Sequence, residues 1–200
     1  MVCARERPLS TIVIVDRFLG DARRQQIWDY LDQPGWKHGA YSASGPDAPR
    51  YFYKHFAGYQ QHGLEDRDAN AIADELAATA PLIADVWQEL LRKPLRHQLL
   101  SRCYANRMPS GVGGGVHLDS NLKEHLTAIY YPQAEWNADH GGETLFFNRA
   151  GTEVIKAVVP RPDRLVIFPG NIPHAARPIY GGAEDAARIT LMFKTLGRRA

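Results

Sequence analysis

Cysteine is almost missing from this 200-residue chain, which has only Cys3 and Cys103. Two thiols cannot build a multi-bridge scaffold, and no paired-Cys motif offers zinc a site, so both read as free thiols of a reducing cytosol. Charge of one sign is also scarce. Lys+Arg number 24 against 22 Asp+Glu, a formal net charge of +2 with histidines neutral, which gives no footprint for nucleic acid or an anionic membrane. No stretch approaches the ~20 apolar residues of a membrane span. The opening MVCARERPLS carries charges but no apolar core of a secretory leader. The expectation is a soluble, cytoplasmic protein. Repeats, low-complexity tracts and Ser/Pro-rich linkers are absent too, so nothing divides the chain, and one domain over 1–200 is expected. With 44% hydrophobic and 23% charged residues, the composition is that of a globular protein.

The patterning changes along the chain. Thr11–Val15 is a β-branched run that favours a buried strand. Asp21–Asp32 reads as a helix, with Ile27 and Leu31 one turn apart and Pro34-Gly35 stopping it. Tyr41–Pro49 is loop-like, and the aromatic Tyr51–Phe56 follows as a strand. Between Asp68 and Leu91, Ile72, Leu76, Ile83, Trp87 and Leu90 fall on one helical face, interrupted at Pro81 by a kink or a break into two helices. From Arg96 onward, short apolar runs alternate with Gly, Pro and Asn: Gln98–Asn106, Leu126–Tyr131, Glu143–Phe147, Glu153–Val159, Arg164–Phe168 and Ala187–Lys194. Helices first and closely spaced strands afterwards predict an α+β fold, a jelly roll with helices packed on one outer face. Residues 1–95 would support a core formed by 96–196.

The chemistry concentrates in that second half. In GGGVHLDS, His117 and Asp119 are two apart, so an extended Val116–Asp119 points both to one side. Imidazole and carboxylate converging in this way make two ligands of a divalent metal, although a lone HxD also fits ordinary strand polar residues. A third ligand is offered by His174 in FPGNIPHAARP, where the bland alternative is a surface or capping histidine. Two histidines and one carboxylate with open positions favour non-haem Fe(II) and oxygen chemistry. In the last run, alternation puts Ile189, Leu191 and Phe193 on a packing face and Arg188, Thr190, Met192 and Lys194 on the other. Arg188 then either lies on an exposed edge or grips a carboxylate inside the sheet, because a buried arginine without an anion is costly.

The order His-x-Asp, FPG-x-x-x-His, Arg-x-Thr resembles the Fe(II)- and 2-oxoglutarate-dependent dioxygenases, within them the prolyl-4-hydroxylase-like branch. The likeness spans roughly residues 96–196. Cys103-Tyr104 ahead of a glycine-rich loop, Ile129-Tyr130-Tyr131, Trp136 with Gly141-Gly142-Glu143, and Pro162-Asp163-Arg164-Leu165 add to it. The resemblance implies a double-stranded β-helix in which His117, Asp119 and His174 hold Fe(II). It implies that Arg188 anchors the distal carboxylate of 2-oxoglutarate, with Thr190 and Tyr131 beside it and Tyr104 near the iron-proximal end. It further implies that O2 is consumed, succinate and CO2 are released, and an unactivated C–H is hydroxylated. Asp119 favours hydroxylation, since related halogenases lack that carboxylate.

Two departures keep alternatives open. Arg188 lies 14 residues after His174, with Tyr180-Gly-Gly-Ala-Glu-Asp inserted, so Arg177 or Lys194 could be the anchor instead. The loop between Tyr104 and His117 is also long for this branch. Ser110–Gly115 lacks the Gly-Lys-Ser/Thr ending of a phosphate loop and reads as a substrate-side loop. His125 shares the parity of Thr127, His140 reads as turn, and Arg50, Tyr51, Tyr53 and His55 either line the substrate side or pack. The sequence therefore supports a hydroxylase of a small organic molecule. A protein-directed prolyl hydroxylase and a non-catalytic, metal-binding jelly roll used for binding or sensing are the alternatives.

Overall fold

A seven-stranded antiparallel sheet and a three-stranded sheet enclose the interior, and three helices cover the outer face of the larger one. The computed structural model describes residues 12–42, 48–58, 69–181 and 186–197. In chain order these hold β1 (Val13–Val15), α1 (Asp21–Asp32), β2 (Lys37–Ala40), β3 (Tyr51–Ala57), α2 (Ala69–Thr79) and α3 (Pro81–Arg92). They continue with β4 (Gln98–Pro109), β5 (Leu126–Tyr131), β6 (Thr144–Phe147), β7 (Val154–Val158), β8 (Arg164–Pro169), β9 (His174–Ala176) and β10 (Ala187–Gly197). The large sheet runs β1-β8-β5-β10-β4-β3-β2 and the small one β7-β6-β9. This is the α+β jelly roll expected from the sequence.

Local rules account for most element ends. Pro81 has no N–H to continue α2, so α2 stops at Thr79 and α3 starts anew with Pro81 in its first turn. The two apolar faces lie on the sheet: Ile72, Leu76, Ile83, Val86, Trp87 and Leu90 are buried in one cluster with Ile27 and Leu31 of α1 and Ile189, Leu191 and Phe193 of β10. Trp87 stacks on Phe193 with ring centroids 6.0 Å apart. The opposite parity of β10 faces inward, where Met192 joins Ile129, Tyr131, Phe146, Val166 and Phe168 in the core between the sheets.

Several details differ from the sequence reading. Thr11 lies outside the described residues, and the first strand is Val13–Val15. β2 (KHGA) and β9 (HAA) carry no strand pattern. They are ordered by pairing with β3 and β6 respectively, which composition does not announce. Val116–Asp119 is not a strand, because its only ladder contact is an isolated bridge between His117 and His174. Cys3, residues 43–47 of the early loop, Asp68, the 182–185 part of the inserted loop and the Arg198-Arg199 tail lie outside the described residues. No helix among the described residues is long and apolar enough to cross a membrane.

Candidate metal and cosubstrate site

Backbone hydrogen bonds tie the HxD segment to the turn after β8. His117 N–H donates to the His174 carbonyl and His174 N–H to the His117 carbonyl, both at 3.0 Å, while Asp119 N–H donates to the Gly170 carbonyl at 2.9 Å. These contacts bring together three side chains that lie far apart in sequence. His117 Nε2 is 3.5 Å from Asp119 Oδ1, and His174 Nε2 is 3.3 Å from Asp119 Oδ2. One ligand atom from each of the three residues lies within 4.8 Å of the others.

The hydrogen bonding of the two rings equips this cluster to accept a cation. Each Nδ1 is 2.9 Å from a backbone carbonyl, Gly115 for His117 and Ile172 for His174. A carbonyl only accepts, so it claims the single N–H of a neutral imidazole at Nδ1 and leaves Nε2 a bare lone pair. Two such lone pairs then face a carboxylate, an all-acceptor arrangement that a metal ion satisfies. Burial holds His174 below the ordinary imidazole value, against the opposing pull of Asp119, and so favours the neutral ligand form. Burial raises the Asp119 carboxyl, but opposing influences, the Lys194 charge first among them, outweigh it and hold Asp119 well below the usual range. The donor set suits Fe(II).

Lys194 Nζ forms an ion pair with Asp119 Oδ2 and donates to Thr127 Oγ1 at 3.2 Å, and Thr127 Oγ1 donates to the same carboxylate oxygen at 2.6 Å. Lys194 therefore stands at the His117, Asp119 and His174 end of the site and orients Asp119. Sequence reasoning misses Thr127 as a site residue, although its inward parity with Ile129 and Tyr131 is a signal for it.

Arg188 forms the other end of a cavity of about 280 Å³ that also reaches His117, Asp119 and His174. It is only 3% exposed, and no carboxylate pairs with it among the described residues. Nε donates to the Gly142 carbonyl at 2.8 Å and Nη2 to Thr144 Oγ1 at 2.8 Å, with the Tyr131 hydroxyl at 3.4 Å. Nη1 meets only the Met108 sulfur, at 4.0 Å. A buried guanidinium without a counter-ion is a receptor for an anion, and a keto acid with a distal carboxylate fits it. Gly142 holds φ at +75°, and a Cβ there would meet Ile179 and Trp136 side-chain atoms at 2.7 Å, so its carbonyl reaches Arg188 only because the position is glycine.

Tyr131, Thr190 and Tyr104 all face this interior. Tyr131 shares a 2.6 Å hydrogen bond with Thr144, while Thr190 and Tyr104 line the cavity with Ile129. Burial, and secondarily the Asp119 charge, raises the Tyr104 phenol, which keeps it a neutral hydrogen-bond donor. Arg177 is exposed and meets the site only through its backbone N–H, which donates to the Glu143 carbonyl. Thr144 is also missed by sequence reasoning, since one threonine on a short strand carries no motif. His125 pairs with Ser120 at 2.9 Å and His140 sits in a short 3-10 turn (Ala138–His140); neither joins the cluster.

A jelly roll carrying two histidines and an aspartate at one end of its cavity and a buried arginine at the other defines the non-haem iron, keto-acid class of oxygenases. Residues 103–193, just under half of the chain, match the model of the 2OG-Fe(II) oxygenase superfamily. The chain is a 2-oxoglutarate-dependent dioxygenase, with Fe(II) as cofactor and 2-oxoglutarate and O2 as cosubstrates. No curated protein matches the sequence. Among solved structures, the fold is similar to a Trichoplax adhaerens prolyl hydroxylase in complex with a hypoxia inducible factor oxygen degradation domain peptide. That match has TM-score 0.60 and 20% identity, covering 93% of this chain and 83% of that one. It is similar to a Pseudomonas putida prolyl-4-hydroxylase (TM-score 0.55, 18% identity, 95% and 94% covered). It is also similar to HygX from Streptomyces hygroscopicus with nickel and 2-oxoglutarate bound (TM-score 0.62, 12% identity, 94% and 83% covered).

Proposed function

We propose that this chain hydroxylates an unactivated C–H of a small organic substrate, with His117, Asp119 and His174 as the iron ligands and Arg188, Thr190, Tyr131 and Tyr104 around 2-oxoglutarate. The observation that carries this reading is the buried, carboxylate-free Arg188 in the same cavity as the three converging ligands. A protein that only binds or senses has no use for such an anchor. Iron and 2-oxoglutarate, when bound, supply the oxygen activation that inserts a hydroxyl group, with succinate and CO2 released.

The chain's own part is to bind and orient. The two backbone carbonyls fix the imidazole tautomers, Lys194 and Thr127 orient Asp119, and Gly142 and Thr144 aim the Arg188 fork. The interior core of Phe146, Phe168 and Ile129 excludes water from the metal side. The small cavity favours a small molecule over a peptide. One domain, with 96–196 as its catalytic core and 1–95 as support, is the organisation we propose, and the free buried thiol of Cys103 fits a reducing cytoplasm.

The test is an anaerobic titration with Fe(II) and 2-oxoglutarate, followed by the visible charge-transfer band of the chelated keto acid. A band in the wild type that disappears in His117→Ala is the expected result, and a wild type without the band overturns the reading.

A further inference from the structure

Three cations line the cavity, and two of them have assigned partners. Arg188 awaits the cosubstrate carboxylate, and Lys194 is paired with Asp119. The third, Arg102, has no carboxylate among the described residues. Its guanidinium carbon lies 4.3 Å from the centroid of the Tyr104 ring, and its Nε is buried with no hydrogen-bond partner. A buried N–H of a charged fork left without an acceptor is costly, so the position asks for an anion.

The sheet register says where that anion would sit. Arg102 is the cross-strand partner of Lys194, and Met108 that of Arg188. Arg102 and Arg188 therefore mark opposite ends of the same inward face, roughly 20 Å apart along the backbone at ~3.4 Å per residue. The metal cluster lies toward the Arg102 end, since Lys194 touches Asp119. Around Arg102 the main cavity shares Tyr41, Tyr51, Tyr104 and Asn106 with a second cavity of about 430 Å³. The Tyr51 hydroxyl shares a 2.6 Å hydrogen bond with Ser42 and supplies a further polar group there. Burial pushes its phenol up to about 12, so it meets an anion as a neutral hydroxyl.

Resting on the reading above, we infer that the substrate carries a carboxylate, received by Arg102 and the Tyr51–Ser42 hydroxyl pair on the side of the iron away from 2-oxoglutarate. A single planar fork flanked by neutral hydroxyls matches a planar monoanion. A phosphate dianion would need more cationic donors. Anchoring one end of a small acid at Arg102 fixes which of its C–H bonds lies at the metal, so Arg102 sets both substrate class and the position hydroxylated.

The test uses the full chain loaded anaerobically with Fe(II) and 2-oxoglutarate. The probes are the common α-amino acids and short aliphatic and aromatic monocarboxylic acids, each paired with its primary amide. Binding is read by ligand-observed NMR and turnover by succinate release. At least one acid is expected to bind about tenfold or more tightly than its amide. In Arg102→Gln that preference is expected to fall to about twofold or less, with partial recovery in Arg102→Lys, while the charge-transfer band and 2-oxoglutarate titration stay as in the wild type. A preference that survives Arg102→Gln, acids and amides that bind alike, or no acid binding at all overturns the inference. Loss of the band in the wild type would instead overturn the iron and 2-oxoglutarate reading, so the two failures are distinct.

Discussion

Arg188 and Thr144 lie on different sheets, yet Arg188 Nη2 donates to Thr144 Oγ1 at 2.8 Å. That bond, with the one to the Gly142 carbonyl, holds the guanidinium in the gap between the sheets and leaves Nη1 against sulfur only.

Removing the anchor follows directly from this geometry. Arg188→Ala is expected to weaken 2-oxoglutarate binding by about 100-fold or more, the scale of breaking a buried ion pair worth ~3–5 kcal/mol. Thr144→Val, which removes one bond to a charged group, is expected to cost on the order of tenfold. The exposed Arg177 is expected to be replaceable by Ala with about twofold change or less. Isothermal titration of the anaerobic iron-loaded protein measures all three, and a loss in Arg177→Ala but not in Arg188→Ala would move the anchor.

The ligand set predicts its own hierarchy. His174→Ala removes a proposed direct ligand and is expected to lower Fe(II) affinity by more than the roughly 10–100-fold typical of a supporting residue. Thr127→Val and Lys194→Met, which only orient Asp119, are expected to fall within that range. Metal competition with a chromophoric chelator ranks them, and full iron affinity in His174→Ala would remove it from the set.

Stability of the metal-free protein is expected to decline as the pH falls below the ordinary imidazole value of 6.5. His174 is held below that value by burial, so in this window the unfolded chain takes up a proton that the folded chain does not. Its contribution is present above 6.5 and is lost as the pH drops through the lowered folded value. Thermal melts of the wild type and His174→Gln between these limits check the sign, and the variant is expected to show the shallower slope.

Asp163 is a separate structural node. It is buried, and its carboxylate accepts from Leu19 N–H at 2.9 Å, Gly20 N–H at 2.7 Å and the Tyr130 hydroxyl at 2.8 Å, joining the start of α1 to the turn before β8. Its φ of 54° is one that Asn and Asp adopt more readily than other side chains. Asp163→Ala is expected to cost about 3 kcal/mol or more by stranding three donors, a fall of roughly 6–12 °C in Tm for a domain of this size. Asp163→Asn, which keeps an acceptor and the backbone preference, is expected to cost less.

Amphipathic period and breaker residues were legible from the chain alone. The Asp21–Asp32 helix, the break at Pro81 and the shared face of Arg188, Thr190, Met192 and Lys194 follow from spacing, because local backbone geometry fixes which side chains share a face, while the structure decides that this face points inward. The order of HxD, FPG-x-x-x-His and Arg-x-Thr further pointed to a candidate site, whose residues the fold brings to one cavity. Spacing says nothing of pairing partners across the sheet. Only the tertiary structure buried Arg188 while leaving Arg177 exposed, set Lys194 against Asp119, brought Thr127 and Thr144 to the candidate site, and left Arg102 without an acid among the described residues. Those outcomes depend on strand register and on which charges find partners once buried, and both are set by contacts between segments distant in sequence.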